Sequence, residues 1–224
     1  MIKSVRIFLL VALLLPVCLV AQTSDAGGIG AIGLTADIAP SLSASLSQEV
    51  RFNQNLTNFD RAVTTLGVDY TLIRKLLKVG VDYDFMCYNQ INYFEIRHRA
   101  SLGFEGQQKV NEFNFKLRTK LQSTWRDETL GDYKFNPKYV WRNKLECSYT
   151  IFGSPVKPFA SAEIFCPLNG ANGFYMDGYR FIGGAKYRTS EHTTFEFMLR
   201  YDQEIQQANP KRILYGGLGW YYSF

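Results

Sequence analysis

The stretch Phe195-Glu196-Phe197-Met198-Leu199-Arg200-Tyr201-Asp202 decides the fold. Phe195, Phe197, Leu199 and Tyr201 fall on one face of an extended strand, and Glu196, Met198, Arg200 and Asp202 on the other. A helix turns by about 100° per residue and would spread those charges around its axis; only a period of two keeps them together.

The same alternation recurs on both sides of this stretch. Phe113, Phe115, Leu117, Thr119 and Leu121 alternate with Asn114, Lys116, Arg118, Lys120 and Gln122. Tyr139, Trp141, Asn143, Leu145, Cys147 and Tyr149 alternate with Val140, Arg142, Lys144, Glu146 and Ser148. Leu77, Val79, Val81, Tyr83 and Phe85 alternate with Lys78, Gly80, Asp82 and Asp84. Strands are expected at 29–38, 42–53, 62–73, 76–88, 92–105, 109–124, 138–151, 156–167, 176–188, 192–203 and 211–224. Many run to about 12–15 residues, where globular strands average about 5–6. A tilted membrane crossing needs roughly 9–11 residues, which suits such lengths. Short connections near 39–41, 74–75, 106–108, 152–155 and 189–191 alternate with longer ones near 54–61, 89–91, 125–137, 168–175 and 204–210. Short turns on one side and long loops on the other is the outer-membrane pattern.

The expected fold is therefore all-β, an antiparallel up-and-down transmembrane β-barrel. Eleven strands conflict with the even count of bacterial barrels. The expectation is 10 or 12 strands, with 29–38 outside the barrel or one further strand unrecognised.

The facing of the charges follows from cost. With the polar face outward, Lys116, Arg118 and Lys120 would all meet hydrocarbon, at about 2–4 kcal/mol each near the midplane. A soluble lipocalin-type barrel has the same alternation with charge outside. Against it stand the crowded large aromatics, the long strands and the end of the chain. Leu218, Trp220, Tyr222 and Phe224 share one face. This run resembles the terminal assembly signal of outer-membrane barrels, which implies the barrel-assembly machinery and outer-membrane lipid as partners.

The first residues fit export. Lys3 and Arg6 precede the apolar run Ile7–Val20, and small Ala21 precedes Gln22-Thr23-Ser24-Asp25. Residues 1–21 read as a signal peptide and 22–224 as the barrel, in the cell outer membrane. Without Lys3 and Arg6 the 25 basic and 20 acidic residues leave a net charge of about +3, too mild for a nucleic-acid partner. Cys87, Cys147 and Cys166 are odd in number and widely spaced, so neither a disulfide framework nor a zinc site is expected.

Several short motifs resemble an uncharacterised family of Bacteroidota outer-membrane barrels. They are Glu95-Ile96-Arg97-His98-Arg99, Trp141-Arg142-Asn143-Lys144-Leu145, Pro158 to Phe165, Tyr179-Arg180-Phe181 and the end at Phe224. The resemblance implies fold and location and carries no activity.

The inward face is the one candidate site. Its expected lining is Glu49, Arg51, Asp82, Asp84, Glu95, Arg97, Arg99, Lys116, Arg118, Lys120, Arg142, Lys144, Glu146, Glu163, Arg180, Lys186, Glu196, Arg200 and Asp202. Facing residues of a hairpin keep a constant index sum. That rule predicts Arg97 beside Asp84 and Arg99 beside Asp82 across 89–91. It predicts Lys144 beside Glu163 across 152–155, and Lys186 beside Glu196 and Arg180 beside Asp202 across 189–191. The lumen is then a charge-paired structural ladder or a narrow diffusion channel. The alternatives are a barrel enzyme acting on lipid or envelope substrates and a soluble periplasmic ligand-binding barrel. Hydrolytic barrels lean on a histidine base. His98 falls on the lipid-facing phase and His192 at a short turn, so no catalytic residue, cofactor or metal is expected.

Overall fold

The computed structural model describes residues 25–90, 92–130, 135–170, 174–206 and 210–224. The signal segment expected at 1–21 lies outside them, as do parts of the loops 125–137, 168–175 and 204–210. The strands are β1 (Asp25–Ala39), β2 (Leu42–Asn53), β3 (Asn58–Ile73), β4 (Leu77–Asn89), β5 (Phe94–Val110), β6 (Phe113–Arg126), β7 (Lys138–Tyr149), β8 (Val156–Pro167), β9 (Gly178–Arg188), β10 (Thr193–Glu204) and β11 (Arg212–Ser223). One 3-10 turn, Glu128–Leu130, follows β6.

The eleven strands form one closed up-and-down barrel, each antiparallel to its sequence neighbours. The expectation of 10 or 12 strands is wrong. The segment 29–38 is not outside the barrel; it is the middle of β1, which closes the sheet against β11 in parallel, from Asp25↔Ile213 to Thr35↔Ser223. Closure requires only that the two edges exchange N–H and C=O groups. A parallel ladder does this with evenly spaced bonds, so an odd count closes as well as an even one. Following paired residues once around the wall returns to β1 roughly 14 residues from the start, the stagger that gives barrel strands their tilt.

An odd count also puts the start of β1 and the end of β11 at opposite ends of the barrel. Asp25 lies at the end of the barrel that carries the connections 54–57, 90–93, 127–137, 168–177 and 205–211. Phe224 lies at the other end, with 40–41, 74–76, 111–112, 150–155 and 189–192. The contrast in length is weaker than expected, since 54–57 and 90–93 are both shorter than 150–155 at the opposite end. Phe59, Asp60 and Arg61 belong to β3 and shorten the expected loop 54–61 to 54–57. That turn holds three successive left-handed residues, Gln54, Asn55 and Leu56, at φ 50, 57 and 71°. The Asp25 carboxylate accepts the N–H groups of Gln54 (3.1 Å) and Asn55 (3.2 Å), which fastens the start of β1 to this turn.

The barrel is apolar outside and polar inside. Ile32, Val81, Leu117 and Leu218 are each more than half exposed on the outer face. Among the described residues the large buried apolar side chains are Ile29, Met86, Phe159, Cys166, Pro167 and Tyr215, while Glu95, Glu163 and Arg200 are almost fully buried. Outer aromatics cluster at both ends. Phe52, Phe59 and Phe94 stack edgewise at one, and Trp220, Tyr222 and Phe224 meet at the other. Aliphatic Leu66, Val81, Leu102 and Leu199 lie between them.

The seam has one position that only glycine fits. A Cβ on Gly27 would meet the Phe52 carbonyl oxygen and the buried Tyr215 ring, whereas one on Gly30 would meet nothing. Gly27→Val is expected to destabilise the barrel by about 1–3 kcal/mol through overpacking. Gly30→Val should stay within about 0.5 kcal/mol. Tryptophan fluorescence along a denaturant titration compares the two; equal midpoints would contradict the packed seam.

Candidate functional site: the charged lumen

Each strand of the wall sends every second side chain inward, so the phase read from alternation also sets what fills the interior. The lumen holds a cavity of about 890 Å³. It runs from a rim with Asp25, Gln54, Lys138 and Lys211 to Glu196 and Tyr221 farther down. Of the expected lining, Glu49, Arg51, Asp82, Asp84, Arg97, Arg99, Arg118, Lys120, Arg142, Lys144, Glu163, Arg180, Glu196, Arg200 and Asp202 face this cavity. Glu95, Lys116, Glu146 and Lys186 do not line it. They share its phase and join the lining residues through ion pairs: Glu95 with Arg97 (2.5 Å), Glu146 with Lys144 (2.8 Å) and Lys186 with Glu196 (3.5 Å). Lys116 pairs with Glu105 at 3.4 Å.

Two carboxylates organise the centre. Glu163 on β8 takes Arg142 at 2.7 Å, Arg180 at 3.2 Å and Arg118 at 3.4 Å. Asp202 on β10 takes Arg200 at 2.6 Å and Arg180 at 2.7 Å. Arg180 thus bridges both. Around the rest of the wall Arg51 pairs with Glu49, Lys120 with Asp82, and Arg99 with Asp84 at 3.6 Å.

The predicted pairings hold in part. Lys186↔Glu196 and Arg180↔Asp202 are register partners and ion pairs. Lys144↔Glu163 are register partners, but their charges go elsewhere, Lys144 to Glu146 and Glu163 to the three arginines. The pairs across 89–91 are displaced by two. Asp84 faces Arg99, Asp82 faces Ser101, and Arg97 faces Met86. The connection there is 90–93, longer than expected. A shift of two keeps every side chain on its face while changing its partner.

Sequence reading missed a cluster nearer the rim. The Tyr88 ring lies between two guanidinium groups, Arg97 at 3.9 Å and Arg61 at 4.4 Å from its centroid. Arg61 also donates to the Tyr88 hydroxyl (2.8 Å) and pairs with Asp60 (2.6 Å). Arg61 falls in the expected loop 54–61, beyond the reach of alternation, and Asp60 is the extra residue of a bulge that strict alternation places outward. Glu105 was within an expected strand and in phase with Arg97 and Arg99; alternation could have found it.

The groups weighed for other chemistry sit apart from the cavity. His98 is exposed on the outer face, where Nδ1 lies 2.6 Å from the Tyr83 hydroxyl. His192 occupies a turn, with Nδ1 2.7 Å from the Ser223 carbonyl oxygen. Cys87, Cys147 and Cys166 are free thiols. Among the described residues no group of three or more His, Cys, Asp or Glu side chains could hold a metal ion.

Glu163→Gln would leave three guanidinium groups around a neutral amide. It is expected to destabilise the barrel by about 3–5 kcal/mol, the cost of breaking a buried ion cluster. Glu105→Gln removes a pair about one-third exposed and should cost no more than about 1 kcal/mol. Denaturant midpoints of the two variants measure the contrast; similar values would show that the Glu163 cluster does not hold the wall together.

Known proteins add the following. A solved structure described as a bacterial polysaccharide outer membrane secretin resembles the chain at 12% identity and a TM-score of 0.44, covering 77% of this chain and 76% of its own. No curated protein matches. A family profile described as "Protein of unknown function (DUF2490)" matches residues 30–213, nearly the whole barrel, and the chain belongs to that family.

Proposed function

We propose that the protein is an integral β-barrel of a Gram-negative outer membrane, of the Bacteroidota type its short motifs resemble. Its charge-paired lumen stiffens the wall and leaves a narrow water-filled space for limited diffusion. Inverted polarity carries this reading: large apolar side chains cover the outer face while ion pairs fill the interior. Monomeric soluble proteins rarely expose contiguous apolar patches beyond a few hundred Å². Hydrocarbon around the wall removes that cost, and water inside hydrates the charges. The aromatic clusters at the two ends suit the two membrane interfaces.

Orientation follows from the loops. The connections 127–137, 168–177 and 205–211 face outward from the cell, and Phe224 faces the periplasm. The assembly machinery reads Leu218, Trp220, Tyr222 and Phe224, of which Leu218 and Phe224 are well exposed on the outer wall.

The first test is electrophoretic. Unboiled and boiled samples in detergent are expected to migrate differently, and the protein to stay with membranes through a salt wash. Identical mobility together with release by salt would overturn the reading. The second test is energetic. Leu102→Arg, on the outer face, is expected to cost about 2–4 kcal/mol when folding into lipid vesicles is titrated with denaturant; an unchanged midpoint counts against lipid contact there.

A further inference from the structure

The register of β6 and β7 sets Arg118 opposite Lys144 and Lys120 opposite Arg142. All four side chains face the cavity. Like charges directly opposed destabilise a ladder. Two consecutive rungs of this kind form a two-by-two block of cations on one patch of lumen wall.

The carboxylates around the block do not balance it. Lys120 is met by Asp82, Lys144 by Glu146 from its own strand, and Arg142 by Glu163. Arg118 has only a 3.4 Å contact with the same Glu163, which also serves Arg180. Three carboxylates therefore serve the four cations of the block, and one of them, Glu163, is shared with Arg180, which also has Asp202. The guanidinium of Arg118 is the least engaged: one Nη meets Glu163 at 3.4 Å, and the side chain is 29% exposed. The wider lining leans the same way: its described residues include 13 Lys and Arg against 10 Asp and Glu.

Taking the lumen to be water-filled as proposed above, we infer that this block is a binding site for a small dissolved oxyanion of the phosphate type. Arg118 and Arg142 supply planar N–H donors suited to two oxygens at once, and Lys120 and Lys144 supply point charges. A bound dianion would screen both like-charge rungs. The ladder is continuous all the way round, so lipid headgroups outside the wall do not reach the block, and the ligand is one that enters through a mouth of the barrel.

The test is calorimetric titration of inorganic phosphate into the full chain, folded in an uncharged detergent at low chloride. The wild-type protein is expected to bind. Arg118→Gln combined with Lys144→Gln should weaken binding at least tenfold, and Arg118→Lys with Lys144→Arg should retain it. Lys157→Gln removes an inward-phase lysine that faces Lys186 and does not line the cavity, and should leave binding unchanged. If the double variant does not fold, Arg118→Gln alone reports the same direction. Absence of wild-type binding overturns the inference, as does equal binding by the glutamine variants or equal loss in Lys157→Gln. Unboiled mobility on the same samples keeps the outcomes apart. A heat-modifiable barrel that ignores phosphate refutes the site and leaves the membrane reading standing; a sample without heat-modifiable mobility that salt also releases from membranes refutes the membrane reading itself.

Discussion

The parallel ladder between β1 and β11 is the constraint on which the rest of the structure depends. A sheet whose edges stay open exposes unpaired N–H and C=O groups, and in a low-dielectric surrounding each such group costs several kcal/mol. Closure removes both edges. Because the strand count is odd, the two edges meet running the same way, and the start of β1 and the end of β11 sit at opposite mouths. Gly27 lets the Tyr215 ring and the Phe52 carbonyl approach the seam, so local sequence and global closure agree at that point.

Closure in turn defines an inside, and the interior is held by charge rather than by oil. In a globular core, close packing of apolar side chains supplies stability. Here arginine and carboxylate side chains that span neighbouring strands line the interior instead, around a cavity of about 890 Å³. Arg180 joins β9 to both β8 and β10 through Glu163 and Asp202. Such bridges brace strands against sliding, because a shift of register would separate several charges at once. The β6–β7 wall departs from this scheme, since two of its facing rungs repel and depend on carboxylates borrowed from other strands or other rungs.

What was legible in the sequence follows from the physics of alternation. A period of two is strict, so the phase of Glu196, Arg200, Lys116 or Arg142 could be read without knowing any contact. Pairing was legible only where turn length was. It came out right for Arg180 and Asp202 and two residues off for Arg97 and Asp84. Eleven strands are also visible in the sequence, yet the even-number rule leaves 29–38 outside the barrel or calls for one strand more. No local signal marks a parallel seam, since its partners are about 190 residues apart in sequence. Arg61 escaped because polar residues beside a turn look like loop, and Asp60 because a bulge breaks the alternation there. Which acid each base chooses was not legible at all: Lys144 faces Glu163 and binds Glu146, a choice made by side-chain reach in three dimensions.

The same separation has a consequence for how the chain reaches its final form. Every other strand pair joins sequence neighbours and can zip as a local hairpin, within reach of microsecond chain motions. The β1–β11 pair alone requires the first strand to wait for the last. Until then β1 presents a bare edge, and the turn clasped by Asp25 gives that edge a fixed shape in advance. The slow step of assembly is then a search by two distant edges for one alignment. A mismatch there would offer β1 or β11 to another chain, and a second copy of the same nascent barrel is the most similar edge available.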